Sequence, residues 1–391
     1  MSPLVWDLAH VGNYEELWLL REVAGAAALD PSLDDMYDAF RHPRPNRPAL
    51  PLLGPAEARR YIADVRGRVL DTLETIDIEG DRPLLAGAFV YGMVVQHEHQ
   101  HDETMLATLQ LMAAPGYRPL APAPPSGAPV PDEVEVPAGP FVMGTDDEAW
   151  AYDNERPAHV VDLPAFRIDA APVTNGAYAG FVADGGYDEP RWWTDEGWAW
   201  RQKADLRAPE FWGDGSRVRF GWTEDLPSDE PVQHVCWFEA DAYARWAGKR
   251  LPTEAEWEKA ASWGPDAALS ERSKRQWPWG SAEPTPALAN LDGRHFRPAP
   301  VGAYPAGVSA YGCHQMIGDV WEWTSSDFEP YPGFATFPYR EYSEVFFGSG
   351  YKVLRGGSWA TSALALRTTF RNWDHAIRRQ IFAGFRCARD V

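Results

Sequence analysis

Cysteine is scarce in this sequence, whose 391 residues contain only Cys236, Cys313 and Cys387. The three are far apart along the chain, so no CxxC pair exists. Such a set provides no disulfide framework. Few and unpaired cysteines are typical of proteins in reducing compartments, and we therefore expect a cytoplasmic protein.

Long hydrophobic runs are also absent. No stretch of about 18 or more uninterrupted apolar residues occurs, so no transmembrane helix is predicted. The string MSPLVWDLAHVG at the start lacks the basic and apolar regions of a signal peptide. These two absences predict neither a membrane anchor nor a secretion signal.

Positive charge is under-represented, because 36 Lys and Arg stand against 57 Asp and Glu and give a net charge of −21. This balance argues against general nucleic-acid binding and against binding to anionic membranes. Methionine is rare, with 7 residues, whereas the chain has 19 Trp, 35 Pro and 33 Gly. That composition indicates a loop-rich fold with many packed aromatic rings rather than a helical bundle throughout.

The pattern of the chain changes near residue 113. Before it, apolar residues recur at helical spacing, and we predict helices over residues 5–21, 34–40, 55–76 and 83–111. Seven prolines in residues 115–131 are typical of a linker. Beyond it, short alternating strands occur among Gly, Pro and Trp. We therefore predict three parts, namely a helical domain over 1–113, a linker over 114–133 and a second domain over 134–391.

Histidines on the fourth predicted helix form the first chemical motif, Gln-His-Glu-His-Gln-His from Gln96 to His101. His97 and His101 are four residues apart and project from one helix face, where two imidazoles can chelate one metal ion. His10, on the first predicted helix, is a candidate third ligand. Many HxxxH pairs bind no metal, and three imidazoles accept zinc, iron, nickel or copper alike.

Distinctive strings follow in the second part of the chain. They include VPAGPFVMGTDD, LPTEAEWEKAA, MIGDVWEWTSS, VLRGGSWA and AGFRCARD. Residues 134–391 thereby resemble the formylglycine-generating (sulfatase-modifying) superfamily, and the part with His10 and HEHQH resembles a DinB-like metal-binding domain. Fused in this order, the two resemble the ergothioneine-biosynthesis sulfoxide synthases.

That resemblance implies an α+β fold, in which a DinB-like helical bundle precedes a C-type-lectin-like domain. Members of the family usually carry about one more helix ahead of the WDLAH string, so the first helix of the bundle is expected to be missing here. The implied activity is an Fe(II)-dependent oxygenase that uses O2 to join hercynine to a thiol and to oxidise the sulfur. His10, His97 and His101 occupy the positions of the iron ligands. We expect a monomer that acts on small molecules.

The resemblance also implies roles for residues outside the metal motif. Tyr339 would donate a proton near the metal, with Tyr342 as a substrate contact. Trp373 would hold hercynine's quaternary ammonium by cation–π attraction, and Asn372 its carboxylate. Gln100, between the two histidines, would contact the imidazole. The remaining implied contacts are those of Asp374 and Arg378 with the ammonium and carboxylate of the thiol substrate.

The loop His-Pro-Arg-Pro-Asn-Arg-Pro, which contains Arg44 and Arg47, resembles the branch of the family that uses γ-glutamylcysteine. Paired arginines suit a planar carboxylate, and without them free cysteine would be the expected thiol. Residues 351–391 hold eight Lys or Arg and two Asp or Glu, which gives a net charge of +6. This excess predicts either buried ion pairs or a site for carboxylate-bearing substrates.

Other functions remain open at this point. The copper-dependent formylglycine-generating activity needs a cysteine pair shortly before the final GFR motif, and SWATSALALRTTFR contains none. A metal-containing, lectin-like binding protein without oxygenase activity and a zinc-dependent thiol transferase of the DinB type remain alternatives. A structural Ca²⁺ near Asn290 is a further candidate ligand.

Overall fold

The computed structural model describes residues 1–78, 80, 82–112 and 117–391. Residues fall into two units, which are Met1–Met112 with Glu148–Trp150, and Ala113–Asp147 with Ala151–Val391. The short segment Glu148–Trp150 therefore belongs to the first unit although it follows strands of the second. The linker over residues 114–133 stays a prediction.

The first unit is helical. Its helices are α1 (Leu4–Glu15), which continues as a π-helix (Glu16–Val23), α2 (Ser32–Met36), a 3-10 helix (Arg44–Ala49), α3 (Pro55–Leu73), a 3-10 turn (Ala86–Ala88) and α4 (Phe89–Gln110). Helix α1 packs against both α3 and α4. Gly12 permits the close approach of α1 to α3, because a Cβ there would lie 2.8 Å from the side chain of Ile62.

Two predicted helices differ from the observed ones. Helix α4 begins at Phe89 instead of residue 83, because Gly87 and Ala88 adopt left-handed conformations with φ of 60° and 56°. Helix α2 ends at Met36 instead of residue 40. The carboxylate of Asp38 accepts hydrogen bonds from the main-chain N–H groups of Phe40 and Arg41, which favours a turn over further helix. Among the described residues, no helix is long and apolar enough to cross a membrane.

The second unit mixes short strands and helices. Its strands are β1 (Glu133–Val136), β2 (Gly139–Met143), β3 (His159–Leu163), β4 (Phe166–Asp169), β5 (Ser216–Arg219), β6 (Trp222–Asp225), β7 (Trp321–Asp327), β8 (Tyr351–Arg355), β9 (Asn372–His375), β10 (Ala383–Gly384) and β11 (Ala388–Asp390). Its helices are α5 (Asn175–Ala183), α6 (Asp195–Lys203), α7 (Trp237–Trp246) and α8 (Glu254–Ser262). The sheets have the strand orders β1-β4-β11, β10-β7-β8-β9, β2-β3 and β5-β6. β10 runs parallel to β7, and the other paired strands are antiparallel. A capping box starts α8, since the side chain of Glu256 accepts a hydrogen bond from the main-chain N–H of Thr253 and the hydroxyl of Thr253 accepts one from the N–H of Glu256.

Ion pairs account for the basic end of the chain. Each of the eight Lys and Arg in residues 351–391, all of which the structure describes, has a carboxylate partner. The pairs are Lys352–Asp327, Arg355–Glu258, Arg367–Glu155, Arg371–Glu254, Arg378–Asp374, Arg379–Glu239, Arg386–Glu322 and Arg389–Glu133. Five of the eight pairs, those of Arg355, Arg367, Arg371, Arg379 and Arg386, are buried on both sides, so buried ion pairs account for most of the +6 segment.

Candidate functional site

Three imidazoles converge inside the first unit. His10 comes from α1, and His97 and His101 come from α4. One nitrogen of each ring lies within 4.8 Å of one nitrogen of each other ring. Among the described residues, these three side chains form the group that could hold a metal ion. His10 and His97 are buried and His101 is half-buried. The i, i+4 spacing on α4 and the packing of α1 against α4 therefore produce a site of the size that one metal ion requires.

Hydrogen bonds orient two of the rings. Nδ1 of His10 donates to the carbonyl oxygen of Tyr37 at 2.8 Å, and Nδ1 of His101 donates to Oδ1 of Asp7 at 3.0 Å. With the proton held on Nδ1, each ring keeps its lone pair on Nε2. A histidine that binds a metal is commonly fixed in this way by a carbonyl or a carboxylate on its other nitrogen.

The distance between the rings of His97 and His10 shows whether a cation fits this site. Nε2 of His97 lies 3.2 Å from Nε2 of His10 in a buried environment. Burial lowers the pKa of His10 and of His97 well below the usual range, and the neighbouring ring of His101 lowers both further. Two neutral nitrogens that face each other at this distance need a shared proton or a cation between them, and a metal ion meets that need.

Aromatic rings hold these histidines in place. Trp6 stacks on His10 with ring centroids 4.6 Å apart, and Tyr14 stacks on His97 at 3.7 Å. The guanidinium of Arg47 lies over Trp6, 3.6 Å from the ring centroid. The stack Arg47–Trp6–His10 therefore restricts the orientation of one of the three rings.

The side chain of Arg47, which was predicted to bind a substrate carboxylate, is already hydrogen-bonded within the protein. It is buried, and it donates to the Ser2 hydroxyl at 2.6 Å and to the carbonyl oxygens of Ala39 and His42 at 3.2 and 2.9 Å. Burial lowers the pKa of Arg47 to about 10. Binding a substrate carboxylate would require these bonds to be exchanged, whereas Arg44 is exposed. Contact of either arginine with a substrate stays a prediction.

Asp7 and Gln96 were not predicted as site residues. Asp7 is fully buried, and its only signal in the sequence is its position one helical turn before His10. Gln96 is fully buried and precedes His97; its amide donates to the carbonyl oxygens of Gly92 and Trp150. Gln100, the predicted substrate contact, is half-buried on the same helix.

In the second unit, the predicted tyrosines belong to an aromatic cluster. Tyr339 contacts Tyr342 edge to face, with ring centroids 6.2 Å apart. Tyr342 stacks on Tyr152 at 3.9 Å and meets Trp373 edge to face at 5.8 Å. The structure thus brings Tyr339, Tyr342 and Trp373 into one cluster. A catalytic role for Tyr339 stays a prediction.

Strand β9 and the turn that follows it carry the other predicted substrate contacts of the second unit. Trp373 stacks on Phe328 at 4.1 Å, which covers one face of its indole and leaves at most the opposite face for a cation. Oδ1 of Asn372 accepts a hydrogen bond from the N–H of Trp373. Asp374 and Arg378 pair with each other at 3.4 Å.

Near Asn290, where a candidate Ca²⁺ was predicted from the sequence, the nearby carboxylate already has hydrogen-bond donors. Asp319 accepts hydrogen bonds from the side chains of Asn290 and Gln315 and from the N–H of Ala299. Burial raises the pKa of Asp319 to about 6. No group of three potential His, Cys or carboxylate ligands occurs here among the described residues.

Comparisons with known families cover almost the whole chain. Residues 1–105 match the DinB superfamily, and residues 119–391 match the sulfatase-modifying factor enzyme 1-like domain. The two matches confirm the predicted α+β architecture of a DinB-like helical part followed by a formylglycine-generating-enzyme-like part.

Three relatives extend this similarity along the full length. The hercynine oxygenase of Mycolicibacterium thermoresistibile is 58% identical, with 100% of this chain and 88% of the relative covered. Those of Mycolicibacterium smegmatis and Mycobacterium tuberculosis are 56% and 55% identical, and each match covers 100% of this chain and 92% of the relative. Similarity at this level to oxygenases indicates an oxidoreductase that uses a metal and O2.

Proposed function

This chain belongs to the hercynine oxygenase family, and from that membership we propose that it joins hercynine to γ-glutamylcysteine with iron(II) and dioxygen. A C–S bond forms between C2 of the hercynine imidazole and the thiol sulfur, and the sulfur is oxidised to a sulfoxide. The balance is R–H + R′–SH + O2 → R–S(O)–R′ + H2O. Dioxygen accepts four electrons, two from C–S bond formation and two from sulfoxidation. The product is γ-glutamyl-hercynylcysteine sulfoxide, a compound of ergothioneine biosynthesis.

The observation that carries this proposal is the convergence of three imidazoles in a chain similar to oxygenases along its whole length. His10, His97 and His101 would hold the iron. When bound, iron(II) supplies a redox-active centre that activates dioxygen next to both substrates. The protein fixes the imidazoles beforehand through Asp7 and the carbonyl of Tyr37, which reduces the cost of ordering them on metal binding.

The aromatic cluster of the second unit supports the placement of hercynine. The indole of Trp373 would attract the trimethylammonium group, and Asn372 would bind the carboxylate. The phenol of Tyr339 would deliver a proton from its Oη during the reaction, because a phenol both donates and accepts. Gln100 would contact the substrate imidazole.

Two sets of charged residues support the choice of thiol. Asp374 and Arg378 present opposite charges side by side, which matches the ammonium and carboxylate of an amino acid. Arg44 is exposed on the 3-10 helix Arg44–Ala49, and it would bind the glutamyl carboxylate together with Arg47. Free cysteine remains the alternative thiol.

Turnover with each thiol tests this function. The full chain is loaded with Fe(II) without oxygen, mixed with hercynine and either γ-glutamylcysteine or cysteine, exposed to O2 and analysed by mass spectrometry. We expect the sulfoxide only with O2, with a higher kcat/KM for γ-glutamylcysteine. In Arg44→Ala, kcat/KM for γ-glutamylcysteine should fall about tenfold or more while that for cysteine is unchanged.

Other outcomes would replace the proposal. Faster turnover with cysteine would identify cysteine as the thiol. Product formation without O2 would indicate a zinc-dependent thiol transferase. A metal-loaded chain that consumes no O2 with either thiol would be a binding protein with a structural metal.

The proposal extends to location and assembly. We propose a cytoplasmic monomer, a location supported by the three cysteines, which are buried free thiols. Mass photometry of the purified chain, with a single peak at the monomer mass, is the expected result.

A further inference from the structure

A single carboxylate is bonded to the loop that carries Tyr339 on both sides of that residue. One oxygen of Asp153 accepts a hydrogen bond from the main-chain N–H of Phe337 at 3.2 Å, and the other accepts one from the Ser343 hydroxyl at 2.5 Å. Phe337 precedes Tyr339 by two residues and Ser343 follows it by four. The side chain of Asp153 therefore links the two ends of the segment 337–343, which contains Tyr339.

Burial distinguishes this arrangement from an ordinary surface contact. Asp153 is 2% exposed and Ser343 is fully buried. The amide of Asn154 donates a second hydrogen bond to the Ser343 hydroxyl at 3.0 Å. Tyr152, the residue before Asp153, stacks on Tyr342. Three consecutive residues, 152–154, thus contact the loop. Buried polar groups such as these are costly to leave without a hydrogen-bond partner.

An exposed hydrogen bond in the same loop provides a natural comparison. The Thr336 hydroxyl donates to Glu344, and this pair also lies on either side of Tyr339. Both side chains are solvent-exposed, so water can replace either partner at little cost. The two bonds span the same part of the chain and differ chiefly in burial.

We propose that Asp153 is a positioning residue that holds the Tyr339 loop in the conformation required for proton delivery. This inference rests on the proposed role of Tyr339 in catalysis. Two anchor points on one buried carboxylate remove conformations that the loop would otherwise sample, and a displacement of about 1 Å at a reacting group can cost about 100-fold in rate. Asp153 itself need not touch a substrate.

Hydrogen exchange tests the structural half of the proposal without any turnover. Asp153→Ala, Asp153→Asn and Ser343→Ala are compared with wild type and with the control Glu344→Gln, in the full chain. In folded variants we expect main-chain exchange across residues 331–347 to rise at least about tenfold for Asp153→Ala, less for the two milder changes, and by under twofold for the control. Unchanged exchange in Asp153→Ala, or in both milder variants if it fails to fold, would overturn the proposal.

A double-mutant cycle with Tyr339→Phe tests the functional half. If Asp153 acts through Tyr339, kcat should fall about tenfold or more in Asp153→Ala, and the double variant should be no slower than Tyr339→Phe alone. If the kcat losses of the two single variants multiplied in the double variant, Asp153 would act independently of Tyr339, which would contradict the proposal. Inactive wild type would reject the proposed function instead, and the exchange experiment would still decide whether Asp153 holds the loop.

Discussion

The carboxylate of Asp7 lies 3.0 Å from Nδ1 of His101, so a fully buried acid on α1 fixes one of the three potential metal-ligand rings, on α4. This contact joins the two helices that carry the three imidazoles. It holds the proton on Nδ1 and leaves Nε2 for a metal ion. The site is therefore assembled by hydrogen bonding between helices as well as by the spacing of its histidines.

Replacing Asp7 should weaken metal binding. Asp7→Asn keeps the shape of the side chain but removes the charge that orients His101, and we expect the metal Kd to rise about 10- to 100-fold. Competition with a chelator measures the affinity directly. Asp71→Asn, an exposed acid on α3, is the control and should leave Kd unchanged. Equal affinities in Asp7→Asn and wild type would contradict this role.

Gly92 should not tolerate a larger residue. A Cβ at this position of α4 would lie 2.2 Å from the indole of Trp150, which also donates to the carbonyl oxygen of Gly87 at 3.2 Å. Gly92→Ala should lower the free energy of unfolding by about 1–3 kcal/mol through this overlap. At Gly67 of α3, an added Cβ would meet open space, because no described atom outside the adjacent residues and the surrounding helix backbone lies within 4 Å of it.

Gly67→Ala is thus the matched control for Gly92→Ala. It should raise the free energy of unfolding by about 0.5–1 kcal/mol, because alanine is the better helix former. Chemical denaturation monitored by far-UV circular dichroism measures both. A stabilising Gly92→Ala would show that Trp150 does not pack against this helix.

The buried ion pairs of the second unit should be sensitive to loss of one partner. Glu258 is fully buried and accepts hydrogen bonds from Arg355 and Lys274. Glu258→Gln leaves two buried cations with less compensation, and we expect a loss of about 3–5 kcal/mol. The exposed pair Arg191–Glu189 is the control, and Glu189→Gln should change stability by less than about 0.5 kcal/mol. Comparable losses for the two variants, measured by denaturant titration, would contradict the importance of burial.

Asp153 should make stability depend on pH. Burial, chiefly, raises the pKa of Asp153 to about 6, the nearby carboxylate of Glu155 raises it further, and the bonds from Ser343 and Phe337 oppose both. An unfolded aspartate has a pKa of about 3.9, so the folded state binds this proton more tightly. Its contribution to stability is therefore present below about pH 4 and is lost as the pH rises through about 6.

The comparison with Asp153→Asn isolates this group, because the amide does not titrate. Relative to the variant, wild type should lose up to about 3 kcal/mol between pH 4 and pH 7. Denaturant titrations at several pH values in this range measure the difference. A difference that stays constant, or that grows in favour of wild type as the pH rises, would contradict the raised pKa.

Much of this site follows from the sequence because it depends on local spacing. The interval between His97 and His101 predicts a shared helix face, and the structure brings His10 to it. Asp7 could not be predicted as the partner of His101, since that contact depends on how α1 packs on α4. The predicted start of α4, at residue 83, was wrong because nothing in the local sequence pattern indicates that Ala88 adopts a left-handed conformation.

Charge shows the same limit in the second unit. A net charge of +6 in the last residues of the chain is compatible with a substrate site or with ion pairs, and composition alone does not separate the two. The carboxylates that pair with these cations come from distant positions such as Glu155 and Glu258. Only the tertiary fold reveals that these charges are already compensated.

Oxygen uptake in two histidine variants tests the central claim most directly. His97 is one of the three potential metal ligands, whereas His99, two residues away on the same helix, pairs with Asp102. With Fe(II), hercynine and γ-glutamylcysteine, we predict that wild type and His99→Ala consume one O2 for each sulfoxide formed, and that His97→Ala loses both metal and uptake. Full oxygen uptake and product formation in His97→Ala would contradict the account.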